Sequence, residues 1–299
     1  MWVLWVVLGV LAAFGAGLLI RSEWERNHPV TVEYEVPSPL VPEEADGFRI
    51  LYLADLHGKM FRPDNEALLR ILGETAYDLV LIGGDMATTF RSAEKDRKAL
   101  RSLLSGIREG VPVRYALGNH EQHMLRHTEK SPGWEPAFRK ILPENSVRLL
   151  RDETEAFPVP GGEIRIAALE LPPEMYRAGK KRPLPARFAE ERLGEKAKAH
   201  FTILLLHSPL YMEEAAEWGA DLTLSGHFHG GTIRLFGRGL MTPQYQFFYP
   251  RCQGIFRLGT MTGIVSAGLG THSVNVRLND RPEAVLVTLK HEESPAGRE

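Results

Sequence analysis

Seven residues in the chain have the side-chain types and the spacing needed to bind divalent cations. Each lies just after one of five short apolar runs, and they are Asp55, His57, Asp85, Asn119, His207, His227 and His229. Carboxylate, imidazole and amide donors suit Mn, Fe and Zn, whereas a thiolate site would need several cysteines and the chain has only Cys252. The pattern therefore predicts a site for hard or borderline metal ions.

The apolar runs explain how side chains so far apart in sequence could meet. Residues 50–54, 79–82, 113–117 and 202–206 are typical of parallel strands buried on both faces, and ligands of such sheets gather at the carboxyl ends of the strands. Two cations about 3.5–4 Å apart can activate a water and hold the oxygens of an in-line displacement at phosphorus. That chemistry needs a carboxylate between the metals, for which Asp85 is the candidate.

The order of these motifs resembles the calcineurin-like metallophosphoesterase family. The motifs are Asp-x-His, Gly-Asp, Gly-Asn-His-Glu, His and Gly-His-x-His, and the resemblance extends over roughly residues 48–290. Residues 226–234, 266–271 and 281–283 are also similar to a membrane-associated bacterial branch, which includes a UDP-2,3-diacylglucosamine pyrophosphatase and cell-wall-associated phosphoesterases. The resemblance implies a phosphoesterase with a four-layer α/β/β/α sandwich and two divalent metal ions.

The resemblance also implies a role for each candidate ligand. One metal would be bound by Asp55, His57 and His229, the second by Asn119, His207 and His227, with Asp85 bridging both. A hydroxide between the metals would be the nucleophile, because metal binding lowers the pKa of water to about 7. His120 would not bind metal but would protonate the leaving group or steady the phosphoryl oxygens. Glu121 would orient His120.

Two positions depart from the family pattern. Thr88 stands where many relatives have an aspartate three residues after the bridging one, and Thr232 stands where members of the branch often have a glutamine. The first departure affects the support of the metal-binding loop, and the second affects a contact with the substrate. Neither position is a predicted metal ligand.

Residues 1–20 carry no charged side chain and are rich in Trp, Val, Leu, Ala and Gly. A helix of this length is about 30 Å long and matches the apolar thickness of a bilayer. A cleaved signal peptide is the alternative, but no basic residue precedes Arg21 and apolar residues continue past Ala13-Phe14-Gly15. The segment therefore predicts an uncleaved, single-pass membrane anchor, with Trp2, Trp5 and Trp24 at the interfaces.

The side of the membrane on which the enzyme lies stays open. Arg21 and Arg26 follow the apolar segment and favour a cytoplasmic domain, since positive charges tend to remain inside. The resemblance to the bacterial branch slightly favours the extracytoplasmic side. A single cysteine offers no intrachain disulfide to decide between them.

The charge balance indicates which partners to expect. The chain has 36 Lys and Arg against 38 Asp and Glu, a net charge of −2, so it lacks the basic footprint of a nucleic-acid-binding protein. We expect no nucleic-acid partner, and a phosphorylated small molecule or a lipid as substrate. A non-catalytic, metal-stabilised module that binds membrane or cell wall is the alternative function.

The chain divides into an anchor (1–21), a linker with an edge strand (22–46), one phosphoesterase domain (47–291) and a polar tail (292–299). Strands first alternate with helices and then follow one another, which predicts two packed sheets flanked by helices. We expect helices over 65–74 and 91–108, a strand pair over 154–169, and a loop over the site at 172–193. Residues 274–278 and 284–289 should close the second sheet. We expect the aromatic residues Tyr245, Phe247, Phe248 and Tyr249 to pack against the sandwich.

Overall fold

The structure, a computed structural model, describes residues 1–88, 93–271 and 274–293. The α-helices in these ranges are α1 (Trp2–Asn27), α2 (Glu66–Glu74), α3 (Ala93–Ser105), α4 (Asn119–Arg126), α5 (Trp134–Glu144), α6 (Phe188–Leu193) and α7 (Met212–Trp218). The strands are β1 (Val30–Ser38), β2 (Arg49–Leu53), β3 (Leu79–Ile82), β4 (Val113–Ala116), β5 (Val147–Leu150), β6 (Glu153–Val159), β7 (Gly162–Leu169), β8 (Thr202–Leu206), β9 (Leu222–Ser225), β10 (Arg234–Leu235), β11 (Arg238–Gly239), β12 (Gly254–Leu258), β13 (Met261–Val265) and β14 (Glu283–His291).

The strands form two six-stranded sheets and one short hairpin. The first sheet has the order β1-β14-β2-β3-β4-β5, the second has the order β12-β13-β9-β8-β7-β6, and β10 pairs with β11. Strands β2 to β5 are parallel, as are β7, β8, β9 and β13. The carboxyl ends of β2, β3 and β4 therefore lie along one edge, as the buried apolar runs predict.

Alternate residues of each central strand pack into different cores. In β2, Leu51 and Leu53 face the core formed with α2, α3 and α5, while Ile50 and Tyr52 face the core between the two sheets. A third core lies between the second sheet and α6 and α7. Such alternation makes each sheet apolar on both faces, which buries it between layers. The predicted α/β/β/α sandwich is confirmed.

The last strand lies in a different sheet from the one expected. β14 is inserted between β1 and β2 of the first sheet, parallel to β1 and antiparallel to β2, whereas β12 and β13 close the second sheet. Residues 274–278 form no strand beyond an isolated bridge between Ile233 and Leu278. The prediction was wrong because an apolar strand pattern shows that a strand is buried but not which sheet receives it.

Helix α1 ends later than the sequence predicts. It continues past residue 21 to Asn27, and its last turns bury Ser22 and Glu25 against the domain, while residues 1–14 are exposed. Residues 22–27, expected to be linker, are therefore part of a docked helix. β1 is the expected edge strand. Residues 91–92 of the predicted second helix and 294–299 of the tail lie outside the described residues.

The aromatic cluster near residue 247 is mostly not packed. Tyr245, Phe247 and Phe248 are exposed, against expectation. Only Tyr249 packs as predicted, with its ring 5.3 Å from that of Phe228. Aromatic residues in a sequence do not distinguish a core from an exposed surface, because both uses show the same composition.

Candidate metal centre

The predicted ligands lie just beyond the carboxyl ends of the strands, and the structure brings the donor atoms of six of the seven close together. Three groups have donor atoms within 4.8 Å of one another: Asp55, His57 and His229; Asp85, His207 and His227; and His57, Asp85 and His120. All of these side chains are buried. Two of the groups match the two ligand sets implied by the resemblance, and the third joins them.

The first group has the spacing of ligands that share one ion. His57 Nε2 lies 3.1 Å from His229 Nε2, and these nitrogens lie 3.9 and 3.8 Å from Asp55 Oδ1. Two imidazole nitrogens bound at about 2.0–2.1 Å to one tetrahedral ion are separated by about 3.3 Å. The observed separation therefore fits a metal bound between these rings.

The second group has its imidazole oriented by the backbone. His207 Nδ1 lies 2.8 Å from the carbonyl oxygen of Gly83, which accepts its proton and leaves Nε2 as the donor atom, 3.1 Å from Asp85 Oδ2. Asp85 Oδ2 also lies 3.9 Å from His57 Nε2. Asp85 thus stands between the two groups, where a bridging carboxylate would be.

Asn119 supplies an independent test of whether a cation fits this site. Its Oδ1 is buried and has no hydrogen-bond partner among the described residues. A buried acceptor without a partner costs about 1–3 kcal/mol unless another group binds it. A divalent ion beside Asn119 would remove this cost, so the donor set fits the metals that the resemblance implies.

Most of these side chains sit on backbone of unusual conformation. Five of the seven predicted ligands have positive φ, between 48° and 66°, and they are Asp55, His57, Asp85, His227 and His229. Residues other than glycine rarely adopt this left-handed region, and each case costs on the order of 1 kcal/mol or more. Strain of this kind persists only where the surrounding structure imposes it, and it concentrates at functional sites.

Glycines make room for these strained loops. Gly226 precedes His227, and a Cβ atom there would lie 2.2 Å from Asp55 Oδ2. The backbone N–H of His227 instead donates to the Asp55 carboxylate at 2.9 Å. The glycine in the Gly-His-x-His motif therefore allows the backbone to approach Asp55 closely.

Burial and mutual interaction shift the pKa values of the site. Burial raises the pKa of Asp55 to about 7. Burial would also raise the pKa of Asp85, but His207 and His120 hold it well below its ordinary value. Burial opposes protonation of His207, yet Asp85 and Asp55 raise its pKa to about 9. Burial and His207 lower the pKa of His227. The lowered pKa values of Asp85 and His227 thus favour an anionic carboxylate and a neutral imidazole, the forms in which such groups bind metal.

Glu121 supports the loop that carries Asp85, a role that the sequence did not predict. Its carboxylate accepts hydrogen bonds from the backbone N–H groups of Asp85 and Met86 at 2.8 and 2.7 Å, and from the Tyr115 hydroxyl at 3.0 Å. It also accepts longer bonds from the N–H groups of Ala87 and Gly118. It therefore holds the loop of the predicted bridging residue, and no hydrogen bond from Glu121 to the His120 side chain is among those described.

A second support was not expected from the sequence. Arg277 is buried and donates to the carbonyl oxygens of Ala267 at 2.7 Å and Gly270 at 2.6 Å. The N–H of Gly270 donates to the Asp55 carbonyl, and the Gly270 carbonyl lies 3.2 Å from His229 Nδ1. Arg277 thus fixes a loop that touches two predicted ligands. A buried arginine resembles a surface one in sequence, so no signal indicated it.

Two further side chains beside the predicted ligands were also missed. Gln244 Nε2 lies 2.5 Å from His227 Nε2, and the Tyr176 ring packs edge-on against His227 with centroids 5.1 Å apart. Tyr176 belongs to the 172–193 segment that was expected over the site. Thr88 Oγ1 is buried without a hydrogen-bond partner among the described residues, while the Thr88 N–H donates to Asp96 of α3.

The fold and the site match one known family. The sequence model of the calcineurin-like phosphoesterase family matches residues 48–231. The chain therefore belongs to the calcineurin-like phosphoesterase family and is a hydrolase of phosphate esters. The prediction of the family from its motif order is confirmed.

Curated relatives are similar over most of the chain. The uncharacterized metallophosphoesterase YkuE of Bacillus subtilis (strain 168) is 25% identical over 297 residues, 94% of this chain and 95% of its own. The phosphodiesterase YaeI of Escherichia coli (strain K12) is 28% identical over 260 residues, 83% of this chain and 84% of its own. A transmembrane protein with metallophosphoesterase domain from Danio rerio is 27% identical over 305 residues, 95% of this chain and 61% of its own.

Proposed function

We propose that the chain is a two-metal phosphoesterase attached to a membrane by helix α1. The observation that supports it best is the convergence of Asp55, His57 and His229 with Asp85, His207 and His227 in one buried cluster. Asn119 Oδ1 would complete the second set. Two divalent ions bound there would supply an activated water and neutralise charge on the phosphoryl oxygens.

The reaction is the hydrolysis of a phosphomonoester, phosphodiester or pyrophosphate bond. The oxygen of water bonds to phosphorus, the bond from phosphorus to the leaving oxygen breaks, and the leaving oxygen takes up a proton. His120 is the residue we assign to that proton. The backbone N–H of His120 donates to Asp85 Oδ1 at 2.9 Å, and its ring lies 5.0 Å from the ring of His57. The imidazole is therefore held beside the predicted metal ligands without being part of either predicted set.

Replacement of His120 by alanine should separate catalysis from metal binding. We expect His120→Ala to lower kcat by about 10²–10⁴-fold, the range for removing a general acid, while the metal content per chain stays unchanged. The measurement is turnover of an aryl phosphodiester beside metal analysis of the same preparation. His123→Ala is the matched control, because His123 lies one turn further along α4 and its ring is tilted against that of His127, with centroids 4.6 Å apart.

Equal activity of the His120→Ala and His123→Ala variants would contradict the assignment of His120. If the His120→Ala variant lost metal as well as activity, His120 would be a metal ligand rather than the proton donor. A chain that binds metal but turns over no phosphoester in its unmutated form would favour the non-catalytic alternative.

We further propose that the substrate is amphipathic, such as a nucleotide-activated or phosphorylated lipid. Helix α1 is long and apolar enough to cross a membrane, and its apolar stretch is not buried by the rest of the protein. An enzyme fixed at a bilayer encounters lipid-borne phosphates at high local concentration. Identification of the substrate would also show on which side of the membrane the catalytic domain lies.

The lipid preference predicts a difference between two classes of substrate. We expect turnover of a detergent-dispersed lipid pyrophosphate to exceed that of soluble nucleotides with the same pyrophosphate group. The comparison uses the full chain in one detergent, so that only the hydrocarbon part of the substrate differs. Turnover of the lipid no faster than that of the nucleotides would refute the preference and leave the phosphoesterase activity intact.

A further inference from the structure

Exposed apolar side chains of the domain are concentrated in one stretch of the sequence. Outside α1, all exposed large hydrophobic residues of the described chain fall between residues 235 and 274. Five of them form what we call the aromatic ridge, which consists of Leu235, Phe236, Tyr245, Phe247 and Phe248. Phe236 is fully exposed, and Tyr245 and Phe247 are 66% and 65% exposed. Such a group on a folded surface marks an interaction site.

The ridge is one structural unit. Leu235 ends β10, and Phe236 lies in the turn between β10 and β11. The chain after β11 folds back, so that Met241 bridges to Phe247 and the N–H of Phe248 donates to the carbonyl of Leu240 at 3.2 Å. Because the Leu240 N–H also donates to the Ile233 carbonyl at 2.7 Å, backbone hydrogen bonds connect the two halves of the ridge.

The ridge adjoins the place where helix α1 meets the domain. Ser22 Oγ accepts from the Arg277 N–H, and Glu25 Oε2 accepts from the Asp280 N–H, both at 3.0 Å. Within the same segment, the Leu278 carbonyl accepts from the N–H of Arg234 at 2.9 Å. Residues 277–280 thus contact the base of α1 on one side and the start of the ridge hairpin on the other. The docked end of α1 and the ridge hairpin therefore lie next to each other, joined through residues 277–280.

The ridge also adjoins the candidate metal centre. A cavity of about 310 Å³ is lined by the predicted ligand His229 and, among others, by Met241, Tyr245 and Val274. Gln244, between the two halves of the ridge, contacts His227. The same cavity therefore borders both a ridge residue, Tyr245, and a predicted ligand, His229.

We propose that the aromatic ridge is a second membrane contact, which inserts into the bilayer interface and holds the mouth of the site at the lipid surface. The proposal rests on the membrane attachment through α1 proposed above. Aromatic side chains favour the interface between water and hydrocarbon. Arg238, exposed in the same hairpin, suits the anionic headgroups found there. A lipid surface matches this combination better than a protein partner because α1 already brings the bilayer to this face.

A fluorescent label on the ridge tests the proposal directly. The full-length Phe236→Cys variant, labelled with nitrobenzoxadiazole and placed in vesicles of phosphatidylethanolamine and phosphatidylglycerol, should emit at shorter wavelength than the same label free in buffer. Doxyl-labelled lipids should quench it. The native Cys252 is buried, and the unmutated chain measures any labelling of it. The matched control is Lys140→Cys on α5, because Lys140 is exposed and distant in sequence from the ridge. Its label should show neither the shift to shorter wavelength nor the quenching.

Flotation of the vesicles distinguishes failure of the ridge from failure of the anchor. If the chain floats with the vesicles but the label at 236 behaves like the label at 140, the ridge proposal is overturned and α1 alone attaches the protein. If the chain does not float, both proposals are overturned. Turnover of a soluble aryl phosphodiester by the labelled variant, which needs no vesicle, shows that it is folded.

Discussion

Replacement of Asp85 by asparagine should abolish catalysis while leaving the fold in place. Asparagine keeps an oxygen that can accept the hydrogen bond from the backbone N–H of His120. It loses the negative charge and the second oxygen that bridging requires. Because metal catalysis of this type is worth several kcal/mol, we expect kcat/KM for an aryl phosphodiester to fall by about 10³-fold or more. Metal content should fall with it.

The matched control for Asp85→Asn is Asp78→Asn. Asp78 lies at the opposite end of β3, is exposed, and accepts a hydrogen bond from the Arg49 N–H at 2.8 Å. The same change there should leave activity and metal content unaltered. An Asp85→Asn enzyme with two metals per chain and undiminished turnover would rule out Asp85 as the bridging ligand.

Replacement of Glu121 by alanine should produce the largest loss of stability. Its carboxylate accepts four backbone N–H bonds and one hydroxyl bond, all buried. Each donor left without a partner costs about 1 kcal/mol or more, so we expect a loss of about 4–5 kcal/mol. In a domain of this size that lowers the melting temperature by roughly 10–15 °C. Activity should fall as well, because the loop carrying Asp85 loses its support.

Two variants show whether this loss comes from the hydrogen bonds of Glu121. Gln122→Ala removes the next side chain, which is equally buried but has no hydrogen-bond partner among the described residues, and should cost well under half as much. Glu121→Gln keeps one acceptor oxygen and should recover part of the stability. Equal melting temperatures for Glu121→Ala and Gln122→Ala would show that the bonds contribute little.

The motif order alone was enough to predict the family and the four layers. Each predicted ligand follows an apolar strand, and the structure places all the described donor groups beyond the carboxyl ends of those strands. This part was predictable because strand burial and strand ends are local properties of a sequence. The parallel arrangement of neighbouring strands then brings the loops at their carboxyl ends to the same edge.

The unpredicted features depend on contacts between distant residues. Glu121 supports the Asp85 loop, which the spacing of the motif could not show because four of its donors belong to backbone. The apolar pattern of α1 also does not predict that Glu25 contacts Asp280, 255 residues away. Left-handed backbone at Asp55 and Asp85 is imposed by the surrounding fold, since neither residue type requires it.

The position of β14 determines the order of events during synthesis. β14 is the last strand in chain order among the described residues, yet it pairs with β1 on one side and β2 on the other, so the first sheet cannot close until residues 283–291 have been made. At about 5–20 residues per second, helix α1 is made roughly 10–50 s before β14 exists. Glu25 therefore stays without Asp280 until that later segment has been made. Under the membrane attachment proposed above, α1 would reach the membrane before the domain folds.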